Sequence, residues 1–393
     1  MPAVPVPASL PELPPTVPAV RTLPAVPEPA RTPVPRRRIV LLLPGQGAQR
    51  ERMGVGLYGN EPVFTTHMDA FFAALDAAAV RGPDGTEGSG TVDGSRLRDA
   101  WWAAAPAPAL ADALIAQPLL FAVGYALGRT VASWGTPPHT HLGHSVGELA
   151  GACLAGVFAP ADGAALMAAR GEALRGSGTG GMLAVAAAPR ELAGHLTGEL
   201  GLAAVNGPRQ TVLSGPAAQL AAVAERLRAD GRTVRALRSS HAFHGPLLRP
   251  AAERFAAALA GVRLHPSAAR VYSCRTARPV TRQQAVRPEF WAGGLADPVL
   301  YWPALEALLE REGRTPGLLL LDASPDRSLS APARRHPAVR DGASVVVPLL
   351  PATGHGTARD LEALAEARDA VARLAEPPWR GPRAQAVVSR SFT

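Results

Sequence analysis

The sequence predicts an α/β protein in two parts, and three stretches carry that expectation. The first is Gly143-His144-Ser145-Val146-Gly147, which follows a short apolar run and precedes an Ala- and Leu-rich helix over residues 146–157. This G-x-S-x-G form is that of a nucleophile elbow. There a serine sits on a sharp strand-to-helix turn, and glycines two residues either side leave the room a Cβ would fill. The second stretch is the buried-strand run 39–43 (IVLLL), stopped by Pro44-Gly45 and followed by the glycine-rich turn Gly45-Gln46-Gly47-Ala48-Gln49. The third is a change of rhythm after the break at 176–181 (GSGTGG). Strand 182–187, helix 189–196, strands 202–205 and 211–214, helix 217–229 and strand 233–237 follow in β-α-β-β-α-β order, a ferredoxin-like unit. The expected organisation is a large α/β part, residues 39–180 and 239–375, interrupted by a small ferredoxin-like part, residues 181–238.

The remaining elements follow in chain order. Residues 1–38 carry a proline every few positions, which removes N–H donors and favours extended chain, so a disordered Pro-rich tail is expected. It is no secretion signal, because its basic cluster, Arg36-Arg37-Arg38, lies at the wrong end. The turn at 45–49 lacks the following G-K-[ST] of a phosphate loop, yet it can bring backbone N–H groups close to a ligand. Residues 81–96 read as a polar surface loop. Residues 110–134, through Gln117-Pro118, have the periodicity of a packed helix, and 160–175 form another. After Ser240-His241-Ala242-Phe243-His244 comes a helix over 246–259. Core strands are expected at 270–273 and 318–322, surface helices at 305–311 and 358–374, and a flexible C-terminal tail over 376–393.

Composition narrows the function classes. At 393 residues and 47% apolar content, the chain can bury a sizeable core. No uninterrupted apolar run approaches the roughly 18 to 20 residues that span a bilayer, so no membrane partner is expected. The net charge of +8 comes from forty arginines and no lysine. Residues 1–38 hold five Arg against two Glu, and 376–393 three Arg against one Glu, so the tails supply +5 of that charge. The folded part is mildly basic, which suits an acidic protein partner better than nucleic acid. Cys153 and Cys274 have no metal-ligand spacing, and a reduced cytoplasmic protein is the simplest reading. Cys153, within the elbow helix, reads as a small buried apolar side chain. His139 and His141, near His144, and His241 with His244 have no carboxylate or cysteine placed to complete a metal site, so no metal is expected. His139 and His141 read as loop or strand-edge residues.

Taken together, the chain resembles the malonyl-CoA:acyl carrier protein transacylase family, including the acyltransferase domains of polyketide synthases. The residues that carry the resemblance are PGQGAQ (44–49), QP (117–118), GHSVGE (143–148), Arg170 twenty-five residues past the serine, and SHAFH (240–244). It covers roughly residues 38–340. The resemblance implies a hydrolase-like α/β domain with a ferredoxin-like insert. It also implies Ser145 as nucleophile, His244 as its general base, and the backbone N–H groups of Gln46 and Val146 as the oxyanion hole. Arg170 would hold the free carboxylate of a malonyl group, Gln117 would line the pocket, and His144 would stand beside the nucleophile on the substrate side. A backbone carbonyl near Ser273-Cys274, rather than an acidic side chain, would orient His244. His241 and Phe243 would favour malonyl over methylmalonyl, because a phenyl ring beside the catalytic histidine fills the space of a 2-methyl branch; Val146 agrees.

These residue types suit the chemistry. A serine hydroxyl needs a neighbouring imidazole to take its proton. A tetrahedral oxyanion needs fixed donors. A half-thioester of a dicarboxylic acid needs a cation at its far end, and guanidinium meets carboxylate through two parallel hydrogen bonds. The expected activity is transfer of malonyl from CoA to the phosphopantetheine thiol of an acidic acyl carrier protein, with no bound cofactor. The chain starts at Met and shows no ketosynthase or carrier region, so action in trans is expected, with polyketide assembly favoured over fatty acid supply. The rival readings are an acyl hydrolase that clears carrier proteins, a transacylase for an unusual acyl unit, and a non-catalytic docking subunit.

Overall fold

A computed structural model describes residues 38–80, 92–104, 108–352 and 356–374. The Pro-rich tail, most of the 81–96 loop and the C-terminal tail lie outside the described residues. Among the described residues, ten strands appear in chain order: β1 Arg38–Leu43, β2 Thr140–Gly143, β3 Gly181–Val185, β4 Gly201–Gly207, β5 Gln210–Gly215, β6 Val234–Leu237, β7 Arg270–Ser273, β8 Arg278–Pro279, β9 Leu318–Asp322 and β10 Ser344–Pro348. They make two sheets.

The larger sheet has the order β10-β9-β1-β2-β7-β8 and is parallel except for the β7–β8 pair. Its central strands are apolar on both faces, as a sheet covered by helices on both sides requires: all of Ile39 to Leu43 and Leu318 to Leu321 are buried. Because β1 and β2 are parallel neighbours in register from Val40↔Thr140 to Leu43↔Gly143, the turns that leave them emerge side by side. The 45–49 turn and the Ser145 elbow therefore meet at one end of the sheet, where open α/β sheets place their ligands.

Five helices pack around this end: α1 Pro62–Val80, α2 Gly94–Trp102, α3 Ala113–Ser133, α4 Val146–Leu154 and α5 Pro160–Leu174. Helix α3 carries Pro118 in its second turn, where it leaves the Leu114 carbonyl without its intrahelical donor. It is long and apolar enough to cross a membrane, but 89% of its apolar window is buried against the rest of the protein, which makes it a core helix. Helix α4 stops three residues short of the expected end, because Gly156 takes a left-handed φ of 76° just past it.

The smaller sheet is antiparallel, with the order β4-β5-β3-β6. That order and the helix α6 Ala217–Ala229 between β5 and β6 make it ferredoxin-like. Leu183, Val185, Leu213, Leu220, Val223 and Leu227 form its own core. The helix expected over 189–196 is a 3₁₀ helix, Pro189–His195, which buries only Leu192 and has too little apolar surface to hold a full α-helix. Val205 and Val299 join this sheet to the larger part, with N–H···O bonds of 2.9 Å from Val205 to Val299 and from Val299 to Ala203.

Three expectations are corrected. The segment read as a surface helix at 305–311 is a packed helix, Tyr301–Leu308 continuing as a π turn, with Leu305, Leu308 and Leu309 fully buried. His141 lies inside β2 and is buried, while His139 sits just before it and meets Glu312 at 2.9 Å. Strand β10 and helices α1 and α2 have no counterpart in the expected element list.

Candidate active site

Ser145 is the N-cap of α4, with φ 53° and ψ −118°, a backbone conformation that L-residues rarely adopt. The two flanking glycines are obligatory. A Cβ on Gly143 would lie 2.1 Å from the carbonyl carbon of Gly147, and one on Gly147 would lie 2.3 Å from the Leu43 carbonyl oxygen. Gly45 is as tightly placed, its missing Cβ 2.6 Å from His144 Nδ1 and 3.2 Å from Ser145 Cβ. The glycines thus let the two turns touch. Val146 is the buried first residue of α4, where helix N–H groups have no intrahelical partner and the positive end of the dipole lies. Gln46 is on the facing turn.

His244 comes from the segment between β6 and the helix α7 Arg249–Ala260. Its Nε2 is 2.9 Å from Ser145 Oγ, and its Nδ1 is 3.1 Å from the Asp297 carbonyl oxygen, so the carbonyl keeps the proton on Nδ1 and leaves Nε2 to accept. The orienting carbonyl is therefore not near Ser273-Cys274. There the backbone is engaged elsewhere: the Cys274 N–H donates to Glu148 Oε1 at 2.9 Å, and its carbonyl accepts from the Leu300 N–H at 2.6 Å. Burial, with His144 and Arg170 nearby, pushes the His244 pKa down to about 3, against the smaller opposing effect of the Asp297 and Gly294 carbonyls. The imidazole is neutral at neutral pH, the state a general base needs.

Arg170, on α5, is 2% exposed. Its Nε donates to Gln117 Oε1 at 2.6 Å, and Gln117 Nε2 donates to Gln46 Oε1 at 2.9 Å, so three expected residues form one chain from the guanidinium to the glycine-rich turn. The guanidinium also stacks on Phe255, 5.6 Å from the ring centre. Its Nη2 is buried with no hydrogen-bond partner, and no carboxylate pairs with it, among the described residues. Burial lowers its pKa to about 10, so it stays charged at neutral pH. A cavity beside it is lined by Ser145, Leu149, Arg170, Phe290, Trp291 and Gly294, with Glu148 and Arg275 also on its wall. The serine hydroxyl and an unpaired buried cation thus share one cavity.

The other expected residues lie around this cavity rather than on its wall. His144 spends Nε2 on Asn206 Oδ1 at 2.9 Å, which ties the elbow to β4. Phe243 is buried, its ring centre 6.3 Å from that of His244 and 5.4 Å from that of His241, and His241 meets Ser240 Oγ at 3.1 Å. Sequence reasoning missed Arg275, Phe290, Trp291 and Asp297, which no motif marks. Glu148 ends the GHSVGE run that carries the resemblance but is given no role there; burial raises its carboxyl to about 7. Its place in the first turn of the elbow helix was the available signal. Cys153 is buried, as expected.

A serine and a histidine in hydrogen-bond reach on an α/β sheet, with helix N–H groups behind them, are the residue types and geometry that acyl chemistry at a hydroxyl requires. The sequence matches the acyl transferase domain family over residues 40–325, and the chain belongs to that family. Mycoketide-CoA synthase of Mycobacterium tuberculosis is 42% identical over 226 residues, which are 57% of this chain and 5% of that protein. The chain thus spans a small fraction of that relative. The acyltransferase domain from the second module of the salinomycin polyketide synthase superposes with a TM-score of 0.71 at 33% identity, covering 84% of this chain and 72% of that one. Malonyl CoA-acyl carrier protein transacylase from Clostridium perfringens shares the fold at 21% identity, with a TM-score of 0.69 over 86% of this chain and 98% of that one. The chain is an acyltransferase domain of that family.

Proposed function

We propose that the chain moves a malonyl group from CoA to the phosphopantetheine thiol of an acidic acyl carrier protein by way of a malonyl-Ser145 ester. Ser145 Oγ attacks the thioester carbonyl carbon while His244 Nε2 takes the hydroxyl proton. The tetrahedral oxyanion rests on the N–H groups of Val146 and Gln46, each such donor being worth about 3 kcal/mol of barrier. Collapse expels the CoA thiolate, which receives the proton from His244. The carrier thiol then attacks the ester with His244 again as base, and Ser145 is regenerated. Serine and histidine supply this chemistry without a bound cofactor, and a CoA-thioester donor fits a cytoplasmic setting.

The observation that carries the reading is Arg170. A buried guanidinium without a counter-charge is costly, and it favours a ligand that brings a carboxylate into the same cavity as the serine. Generic acyl chains bring none, which argues against the hydrolase. The buried Phe243 beside His244 supports malonyl over branched units.

Intact-protein mass spectrometry tests the reading. Malonyl-CoA is expected to leave an adduct that is absent in Ser145→Ala and passes to added carrier protein. An adduct lost to water equally fast without carrier would identify a hydrolase. An adduct from methylmalonyl-CoA but not from malonyl-CoA would replace the acyl unit.

A further inference from the structure

His244 is held by a segment whose apolar side chains are packed in the core, with Trp291, Ala292 and Leu295 buried and Trp291 Nε1 donating to the Ala285 carbonyl at 2.9 Å. The short helix Pro288–Ala292 runs into a 3₁₀ turn, Gly293–Leu295, with two consecutive glycines at its start. Glycine adds backbone freedom, and the turn is closed by the Ala296 and Asp297 N–H groups donating to the Gly293 carbonyl at 3.0 and 2.8 Å. It places three backbone groups on His244. The Leu295 carbonyl accepts from the His244 N–H at 2.9 Å, the Asp297 carbonyl meets Nδ1, and the Gly294 carbonyl also faces the ring.

One charged side chain bridges the two ends of this segment. Arg275 extends from the turn after β7, and its Nε donates to Asp297 Oδ2 at 2.9 Å. Its Nη2 also donates to Asp297 Oδ2, its Nη1 donates to the Phe290 carbonyl, and its guanidinium lies 5.1 Å from the Phe290 ring centre. All three nitrogens are therefore spent on the two ends of the segment. The glycine at 293 makes this possible, since a Cβ there would lie 2.6 Å from Arg275 Nη2 and 2.9 Å from Asp297 Oδ2. The Arg275 and Asp297 side chains are 21% and 46% exposed, so the pair adds little to global stability. What it sets is geometry.

We propose that Arg275 is a positioning residue for His244: by bridging Asp297 and Phe290 it fixes the turn whose carbonyls hold the imidazole with Nε2 aimed at Ser145. The proposal rests on the reading of Ser145 and His244 as nucleophile and base. Misplacing a reacting group by about 1 Å costs up to a hundredfold in rate. Loss of the clamp is therefore expected to slow acylation of Ser145 while substrate affinity changes little.

The test is the rate at which Ser145 is labelled by a fluorophosphonate, alongside single-turnover acylation by malonyl-CoA. Arg275→Ala and Asp297→Ala are each expected to slow both reactions about tenfold, and in Asp297→Ala, whose side chain is off the cavity wall, the half-saturating malonyl-CoA concentration should change less than about twofold. The double variant is expected to be no slower than either single one, because both remove one clamp. Gly293→Ala should reproduce the defect with Arg275 and Asp297 both present, and thermal unfolding should confirm that each variant is folded. Labelling of Arg275→Ala at the wild-type rate, or losses that multiply in the double variant, would overturn the proposal. Wild-type protein that is not labelled, or is labelled equally fast as His244→Ala, would remove the reading beneath it, and the proposal with it.

Discussion

Ser145 and His244 both sit at positive φ, 53° and 60°, outside the regions that non-glycine residues favour. The chain holds these two turns by different means. Around Ser145 the support is steric: Gly143 and Gly147 lie two residues away, and the parallel neighbour β1, from far earlier in the chain, brings the 45–49 turn against them. Around His244 the supports come from Gly294, Leu295 and Asp297, some fifty residues later in the chain. A nucleophile wedged between backbone segments leaves no room for a side chain at its glycines. A base fixed by a distant turn can be loosened while the fold survives.

The largest expected effect follows from that difference. Gly147→Ala puts a methyl group 2.3 Å from the Leu43 carbonyl oxygen, with backbone on both sides and nothing able to yield. The variant is expected not to reach the folded state, seen as loss of soluble protein and of a cooperative thermal transition. At Gly294, by contrast, a Cβ meets nothing within 4 Å, and Gly294→Ala should fold normally. A folded Gly147→Ala would show that the elbow is less confined than this geometry requires.

Next comes the base itself. His244→Ala is expected to slow acylation of Ser145 by about a thousandfold in a protein that remains folded. The pH profile sharpens the point. A base works when unprotonated, and the His244 pKa is pushed down to about 3, so His244 itself imposes no acid limb from about pH 5 to 8. Because burial raises the Glu148 carboxyl on the same cavity wall to about 7, the profile is read in Glu148→Gln, where the rate should stay flat. An imidazole at its ordinary value of about 6.5 would be roughly nine-tenths protonated at pH 5.5 and lose the rate accordingly. An acid limb near pH 6.5 in stopped-flow measurements would show that water reaches the ring.

The same contrast decides what was legible in the sequence. The elbow, the glycine-rich turn and the ferredoxin-like rhythm were readable because each is a local pattern with a steric cause, as the clashes at Gly143 and Gly147 show. Arg170, Gln117 and Gln46 were individually visible through the family resemblance, but not the hydrogen-bonded chain that joins them across three elements. The carbonyl that orients His244 was sought near Cys274 and found at Asp297, because a backbone oxygen carries no residue signature and tertiary packing alone selects it. Arg275 was invisible for the same reason. Its partners are a carboxylate and a carbonyl from a different segment, and one arginine among forty has no distinguishing mark.

Arg170 belongs with the distant supports, and its removal should separate substrates rather than stop chemistry. Arg170→Met keeps much of the volume, and replacing a buried, unpaired charge with an apolar side chain is neutral or stabilising. Thermal stability is expected to hold or rise. Malonyl transfer should fall on the order of a hundredfold, about 3 kcal/mol, the low end for stripping a buried charge of its partner. Acetyl transfer should fall much less, since acetyl carries no carboxylate. Equal losses for malonyl-CoA and acetyl-CoA, measured by competition, would sink Arg170 as the carboxylate clamp.

The smallest expected effect lies at Phe243, one residue before the base and outside the cavity wall. Its ring contacts those of His244 and His241, so it meets an acyl group's branch only near the reacting carbonyl and not along the length of the cavity. A single apolar group at such a place discriminates by about 1–3 kcal/mol. Phe243→Ser should therefore narrow the preference for malonyl-CoA over methylmalonyl-CoA by roughly tenfold without reversing it, while leaving the pH profile unchanged. Removing a buried phenyl also leaves a hole next to the base, so malonyl transfer itself should slow somewhat. The informative quantity is the ratio of the two rates from one mixture, which cancels that general loss. An unchanged ratio would mean that selectivity resides in Phe290 and Trp291, on the cavity wall itself.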